Sequence, residues 1–369
     1  MKQELQEEFT DEQQDVLKSV RMSKIIFPIL LGLGVVGYLM WKQYDPEEFS
    51  QIDWTTHTTF WILLSVLLLV IRHLAYALRL RILSDGQFSW TKCIELIFIW
   101  EFSSAVSPTS VGGSAVALFV LSQEKLSTAK TATIVVYSAV MDTIFFVSTL
   151  PILLMIFGTE MIRPKVDGMV SFDAWGYTFI FAYVFMAIYG LVFFYGLFIN
   201  PKTIKKLLMW MTNNRWLKKW QKGAEELGED MVVASQELQK KKWKFHISVF
   251  LSTATAWSCR FLLLNCLIIA LSTDIVPLTF FAQLGLYARL ETMFVIMAFS
   301  PTPGGAGFAE VVFFGFTSDY VSKMGIALFI AGIWRLMTYY AYLLIGAIII
   351  PNWIRKILNR RKRLRRQKK

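Results

Sequence analysis

Phe60 to Leu80 reads FWILLSVLLLVIRHLAYALRL, a run of 21 residues whose permanently charged side chains are two arginines. The hydrocarbon core of a bilayer, about 30 Å thick, is crossed by about 20 apolar residues in an α-helix. Within it every backbone N–H and C=O must be paired, so a run of this kind is read as a spanning helix. It is one of six: Lys24–Trp41, Thr59–Leu80, Thr128–Phe157, Ala174–Ile199, His246–Leu271 and Met324–Ile350. At 55% hydrophobic residues, a soluble fold would have to expose much of its apolar surface. The sequence therefore predicts an all-α polytopic membrane protein.

Two further apolar regions, Cys93–Leu121 and Leu278–Phe316, are broken by related motifs, VSPTSVGGSA from Val106 and FSPTPGGAGFAE from Phe299. Gly113–Leu121 is too short to span, so the first region is expected to be re-entrant. The second is read in the same way, although Leu278–Ala298 is long enough to span by itself. Each half then runs spanning helix, broken hairpin, spanning helix. Asp142 follows Ser107 by 35 positions and Arg335 follows Ser300 by 35. An inverted repeat with discontinuous helices is a pattern of transporters, whose site lies where the repeats meet. The expected organisation is a polar N-terminal segment 1–23 and a membrane domain 24–350, followed by a basic tail 351–369. Within the membrane domain, 59–158 forms the first repeat, 174–200 a linking helix, 201–245 a basic connection and 246–350 the second repeat.

Charge sets the expected orientation. The net charge is +11; Pro201–Phe245 carries eleven Lys/Arg against five acids, and Asn352–Lys369 ten with none. Positive segments stay inside, which places both, and both termini, in the cytoplasm. The first hairpin then opens from the inside and the second from the outside. A juxtamembrane basic tail is read as facing anionic lipid rather than nucleic acid. TIKKLLMWMTNNRWLKKW, from Thr203, is amphipathic and suits a helix lying in the inner interface. The N-terminal segment is acidic and lacks a small-residue cleavage site, so no secretory signal is expected.

In each hairpin the glycines open the second arm, so that its helix N-terminus points free N–H groups at the break, a geometry that suits an anion. The candidate substrate-binding residues are Ser107, Pro108, Thr109, Gly112 and Gly113 in the first hairpin. In the second they are Ser300, Pro301, Thr302, Pro303, Gly304, Gly305, Gly307 and Glu310. Asp142 and Arg335, on the helices that follow, complete the set. The same Ser-Pro-Thr segments serve equally as turns and helix caps. Ionisable residues in apolar segments pair together, face a bundle interior or line a pathway, which adds Arg72, Glu101, Arg260 and Glu291 as candidates. Asp142 and Arg335 are expected to pair with each other, ahead of the alternative that they bind the charged parts of a zwitterionic or cationic headgroup, while Arg79, Glu95 and Arg289 are read as reaching the interface. Cys93, Cys259 and Cys266 have no metal-ligand spacing, so neither a metal nor a cofactor is expected. No nucleotide, zincin or nucleophile-elbow motif is present, and no enzymatic activity is expected.

SPTPGGAGFAE and WRLMTYYAYLLIGAIIIPNW together resemble the lysylphosphatidylglycerol synthase transmembrane family, also called flippase-like or UPF0104 proteins. Pro301, Pro303, Gly304, Gly305, Gly307 and Glu310 match one family pattern, and Trp334, Arg335, Thr338, Tyr339 and Tyr340 the other. SPTSVGGSA is similar to the family's first-half motif. The resemblance implies a lipid flippase of a bacterial inner membrane, moving a phospholipid or other anionic-headgroup lipid between leaflets. The family's aminoacyl-transfer activity belongs to a synthase domain, and this chain is expected to lack it. An enzyme or accessory subunit acting on polyprenyl-phosphate-linked sugars is the alternative. Expected partners are membrane phospholipids, with a homo-oligomer and a separate lipid-modifying enzyme left open.

Overall fold

The structure, a computed structural model, describes residues 45–106, 110–124, 126–161, 172–213, 221–298 and 308–367, with single positions between them. Lys24–Trp41 lies almost entirely outside the described residues. Among the described residues there are helices and turns but no strand. Six helices among the described residues are long and apolar enough to cross a membrane: Thr56–Leu83, Ala129–Phe157, Gly176–Phe198, Trp243–Leu271, Phe280–Met297 and Met324–Ile357. Phe280–Met297, read as the first arm of a hairpin but long enough by sequence to span, is of spanning length in the structure. The chain is an all-α polytopic membrane protein.

In chain order the helices are α1 (Pro46–Ser50), α2 (Thr56–Leu83), α3 (Trp90–Val106), α4 (Ser110–Ser122), α5 (Thr128–Phe157) and α6 (Phe172–Phe198). Then come α7 (Pro201–Thr212), α8 (Gln221–Gln239), α9 (Trp243–Leu271), α10 (Phe280–Met297) and α11 (Phe308–Thr317). The last are α12 (Met324–Arg335), a π-helical turn (Leu336–Tyr340) and α13 (Ala341–Gln367). The order of long helix, two shorter arms and long helix occurs twice, as α2 to α5 and as α9 to α13.

Local chemistry explains the boundaries. The Thr55 hydroxyl caps α2 by accepting the Thr58 N–H, and α2 ends where Asp85 and Gly86 turn left-handed at φ 53° and 72°. Ser127 caps α5, which ends at Gly158 with φ 64°. α4 begins at Ser110, so Gly112 and Gly113 stand in its first turn, and α11 begins directly after Gly307. Gly112 and Gly113 thus stand at the opening of α4, whereas Gly304, Gly305 and Gly307, expected to open the second arm of the other region, lie outside the described residues.

α2 shows how the bundle is turned. Phe60, Leu63, Leu67, Val70, Leu74 and Leu78 form an exposed apolar stripe, whereas Ser65, Arg72, Tyr76, Arg79 and Leu83 are buried. A helix with its polar face inward and apolar face outward suits lipid, not water. α6 is likewise covered in exposed Tyr177, Phe181, Ile188 and Leu191.

The interior holds two apolar cores. One gathers Leu80, Leu83, Leu96, Phe102, Val120, Ile134, Val140, Tyr339 and Leu343 around the α3–α4 hairpin. The other gathers Phe145, Leu150, Phe261, Leu290, Met293, Val312, Phe313, Ala331 and Trp334 around α10 and α11. α2, α5, α9 and the α12–α13 helix contribute to both. Helices meet closely at several glycines, among them Gly346, where a Cβ would collide with the Phe102 ring, and Gly190, where it would collide with the Thr143 side chain.

Candidate functional site

The changeover from one core to the other falls on charged residues. Along α2 the second core receives Leu68 and Leu69 and the first takes Ala75 onward; Arg72 lies between. Along α5 the first core ends at Met141 with Ile144 against it, and the second begins at Phe145; Asp142 lies there, at the middle of the helix. Along α12–α13 the second core includes Trp334 and the first Tyr339; Arg335 lies between. A charge is costly in hydrocarbon, so such residues persist where they pair or meet a polar ligand.

Most of them pair. Arg72 is fully buried and donates from Nη2 to Glu101 Oε1 at 2.6 Å and from Nη1 to the Tyr342 hydroxyl at 3.1 Å. Its guanidinium also lies 5.2 Å from the Tyr76 ring and 5.4 Å from the Tyr342 ring. His73 Nδ1 is 3.1 Å from the same Tyr342 hydroxyl. Arg79 donates to Asp142 Oδ1 at 2.6 Å and to Thr253 Oγ1 at 3.2 Å, and lies 4.8 Å over Tyr76. Trp257 Nε1 donates to the same Asp142 oxygen at 2.9 Å. Tyr76 and Trp257 thus tie the two ion pairs into one network.

Arg260 differs from these. Its Nη2 is 3.8 Å from Glu101 Oε1, a distance that leaves Coulomb attraction but no hydrogen bond. The guanidinium lies 4.7 Å from the Trp257 ring and 5.5 Å from Phe294. Nε is buried with no hydrogen-bond partner among the described residues, yet the side chain is 21% exposed. Three guanidinium groups, Arg72, Arg79 and Arg260, face two carboxylates, Glu101 and Asp142, which leaves one positive charge in the layer.

Beside this network Arg335 Nε stands 3.6 Å from Glu310 Oε1, and its guanidinium lies 4.2 Å over Tyr339. Both carboxylate oxygens of Glu310, Trp334 Nε1 and the Tyr340 hydroxyl are buried without hydrogen-bond partners among the described residues. Tyr339 OH donates to the Ala105 carbonyl at 3.2 Å, which joins the second-half motif to the end of α3, beside the first break. Glu291 is fully buried on α10 and receives a contact from Thr149 Oγ1.

Two expectations are corrected. Asp142 pairs with Arg79, and Arg335 stands against Glu310; each half supplies its own counter-ion, so the expected pairing of Asp142 with Arg335 is not the arrangement found. Arg79 does not reach an interface, because Asp142 and Thr253 hold it inside. Glu95 bonds Lys92 at 3.1 Å, and Arg289 bonds Asp319 at 2.6 Å near the end of α11. Ser107, Pro108, Thr109, Pro301, Thr302, Pro303, Gly304, Gly305 and Gly307 lie outside the described residues. Ser300 donates its N–H to the Met297 carbonyl at 3.0 Å. The partners that the sequence reading missed are Tyr76, Trp257 and Tyr342. Tyr76 was detectable: with Arg72 and Arg79 it forms an i, i+4, i+7 stripe on α2.

An all-helical membrane protein with a paired-charge layer between two apolar cores is the class this architecture defines. The chain belongs to the lysylphosphatidylglycerol synthase TM region family, which it matches over residues 25–346. It is similar to a UPF0104 membrane protein of Archaeoglobus fulgidus, 25% identical over 317 residues, covering 82% of this chain and 90% of that protein. No solved structure matches it.

Proposed function

We propose that the protein moves a lipid with an anionic headgroup between leaflets, the headgroup passing along the charged layer while the acyl chains stay in the bilayer. Arg260 carries this reading. An arginine offers five N–H donors in a fork that matches a phosphate bidentately. At the middle of a spanning-length helix, Arg260 is partly exposed, hydrogen-bonds to nothing among the described residues and belongs to a layer with one surplus positive charge. A phosphate would supply both the missing acceptors and the missing negative charge.

In this reading α2–α5 and α9–α13 are inverted repeats, and α3–α4 and α10–α11 are hairpins entering from opposite faces. Transport follows from rocking one repeat against the other. The termini and the basic 201–245 connection lie in the cytoplasm of a bacterial cell, against anionic lipid. The recurring element order and the two cores support the repeat, and the family membership supports the membrane setting.

The test is purified protein in liposomes carrying labelled lipids of anionic, zwitterionic and cationic headgroup, with leaflet exposure followed in time. A bidentate charged hydrogen bond is worth about 1.5–3 kcal/mol, so Arg260→Ala should slow the anionic lipid by about 10–100-fold. Wild-type protein that moves none of the lipids, or an intact Arg260→Ala protein as fast as wild type, refutes the reading.

A further inference from the structure

Glu291 is the one carboxylate among the described candidates that no cation accompanies. It is 0% exposed, on the inner face of α10, and Oε2 has no hydrogen-bond partner among the described residues. Oε1 meets only Thr149 Oγ1 of α5. That hydroxyl also lies 2.7 Å from the Phe145 carbonyl, its natural i−4 acceptor. A threonine hydroxyl has one proton, so it cannot donate to both oxygens. If the proton goes to Phe145, the remaining contact requires a proton on Glu291. An ionised Glu291 would take the hydroxyl proton, strip the Phe145 carbonyl of this partner and leave a charged Oε2 buried without a donor, which is far more costly.

α10 packs against α5, α6, α9, α11 and the 3-10 turn Gly158–Met161, whose Glu160 side chain lies outside the described residues. On α5, Asp142 holds Arg79, while Lys130 and Tyr137 are three turns or more from Thr149. On α9, Arg260 faces Glu101, and Cys259 and Cys266 are buried thiols; on α6, the Tyr183 hydroxyl donates to the Val147 carbonyl at 3.3 Å. On α11, Glu310 stands against Arg335, and on α10 itself Arg289 is bonded to Asp319 at 2.6 Å and the Tyr287 hydroxyl is 3.2 Å from that of Ser258.

We infer that Glu291 is a proton-binding site that couples proton movement to lipid transfer. The inference rests on the transport reading above. Thr149 belongs to the α2–α5 half and Glu291 to the α9–α13 half, so the contact is made across the two units that rock. Rocking toward one face of the membrane admits water from that side to the carboxyl, which releases its proton there; closing requires that it be reprotonated, and rocking toward the other face lets it take the proton from the opposite side. Lipid transfer and proton transfer thereby share one conformational step, and a proton gradient biases the direction.

Two measurements on the whole protein test this. Infrared difference spectra at neutral pH should show a protonated-carboxyl band in wild type that Glu291→Gln loses. In proteoliposomes, a gradient of one pH unit should shift the wild-type steady-state leaflet ratio by up to about tenfold at one proton per lipid. Glu291→Gln, shaped like the neutral acid, should still fold and still move lipid but ignore the gradient. A band that survives in Glu291→Gln overturns the proton site. A variant that keeps the gradient response overturns the coupling, with the transport reading intact. Wild-type protein that moves no lipid overturns the transport reading and the coupling together, whereas the band reports on the proton site independently.

Discussion

Replacing Asp142 by asparagine separates what the Arg79–Asp142 pair does for stability from what it does for transport. The change keeps an acceptor for Trp257 Nε1 but removes the charge opposite Arg79, whose side chain is 8% exposed. Stripping a fully buried ion of its partner costs about 3–5 kcal/mol. Asp142 is 29% exposed, and Arg79 retains Thr253 and the Tyr76 ring. Solvent screening brings the expected loss down to about 2–3 kcal/mol. Arg79→Met in the Asp142→Asn background removes the orphaned charge and should recover much of that loss, giving a coupling of about 1–3 kcal/mol in a double-mutant cycle. Unfolding in detergent, followed by tryptophan fluorescence, reads the cycle; lipid exchange in liposomes reads the function. The double variant should be stable yet slow. If Asp142→Asn unfolds within about 0.5 kcal/mol of wild type, or the two changes simply add, the buried-pair account is wrong.

The remaining predictions concern packing and acid. Gly346→Val drives a side chain into the Phe102 ring and should cost about 1–3 kcal/mol; combined with Phe102→Ala it should cost less than the sum of the two, as measured by thermal unfolding. Asp85, in the turn after α2, accepts from Lys130 and Lys241 at 2.6 Å each. Burial pushes its carboxyl up, but the hydrogen bonds and charges of the two lysines outweigh that and hold it below the ordinary carboxylate range. The unfolded chain therefore binds the proton more readily. The stabilisation is fully present above the ordinary carboxylate value, about 3.9, and is lost as pH falls through the lower folded value. Asp85→Asn should be less stable than wild type at neutral pH, with the difference closing at the acid end of a stability profile.

What the sequence made legible was whatever lipid dictates locally. Long apolar runs located α2, α5, α6, α9 and the α12–α13 helix, because a spanning segment needs only length and hydropathy. The glycines located the start of α4, because a break in a buried helix leaves few residues to choose from. The depth of Asp142 and Arg335 was also readable, as a count along each helix. Their partners were not. Arg79 lies one turn from the end of α2 by sequence, where an arginine ordinarily reaches water, and only the crossing of α5 and α9 beside it puts Asp142 and Thr253 within reach. The role of Trp257 was equally hidden, since a tryptophan in an apolar helix shows no sign of a carboxylate across the interface.

The π-helical turn at Leu336–Tyr340 explains how one helix serves both cores. Ala327, Ala331 and Trp334 set the buried stripe of α12. Continued at 3.6 residues per turn from Ala331, that stripe would reach about positions 338, 342, 345 and 349. Of these only Tyr342 is buried; the buried positions are Tyr339, Tyr340, Tyr342, Leu343, Gly346 and Ile350, and the stripe runs on through Trp353 and Ile357, its centre displaced by up to about one residue. An inserted residue rotates everything after it by about 100°. That rotation carries the helix from the core around α10–α11 to the core around α3–α4, where Gly346 meets Phe102. The slip begins immediately after Arg335, so the guanidinium stands where the helix changes allegiance, between Glu310 on one side and Tyr339, bonded to the end of α3, on the other. Within this helix the WRLMTYY motif therefore marks the point where the two cores meet, as Arg72 does in α2 and Asp142 in α5.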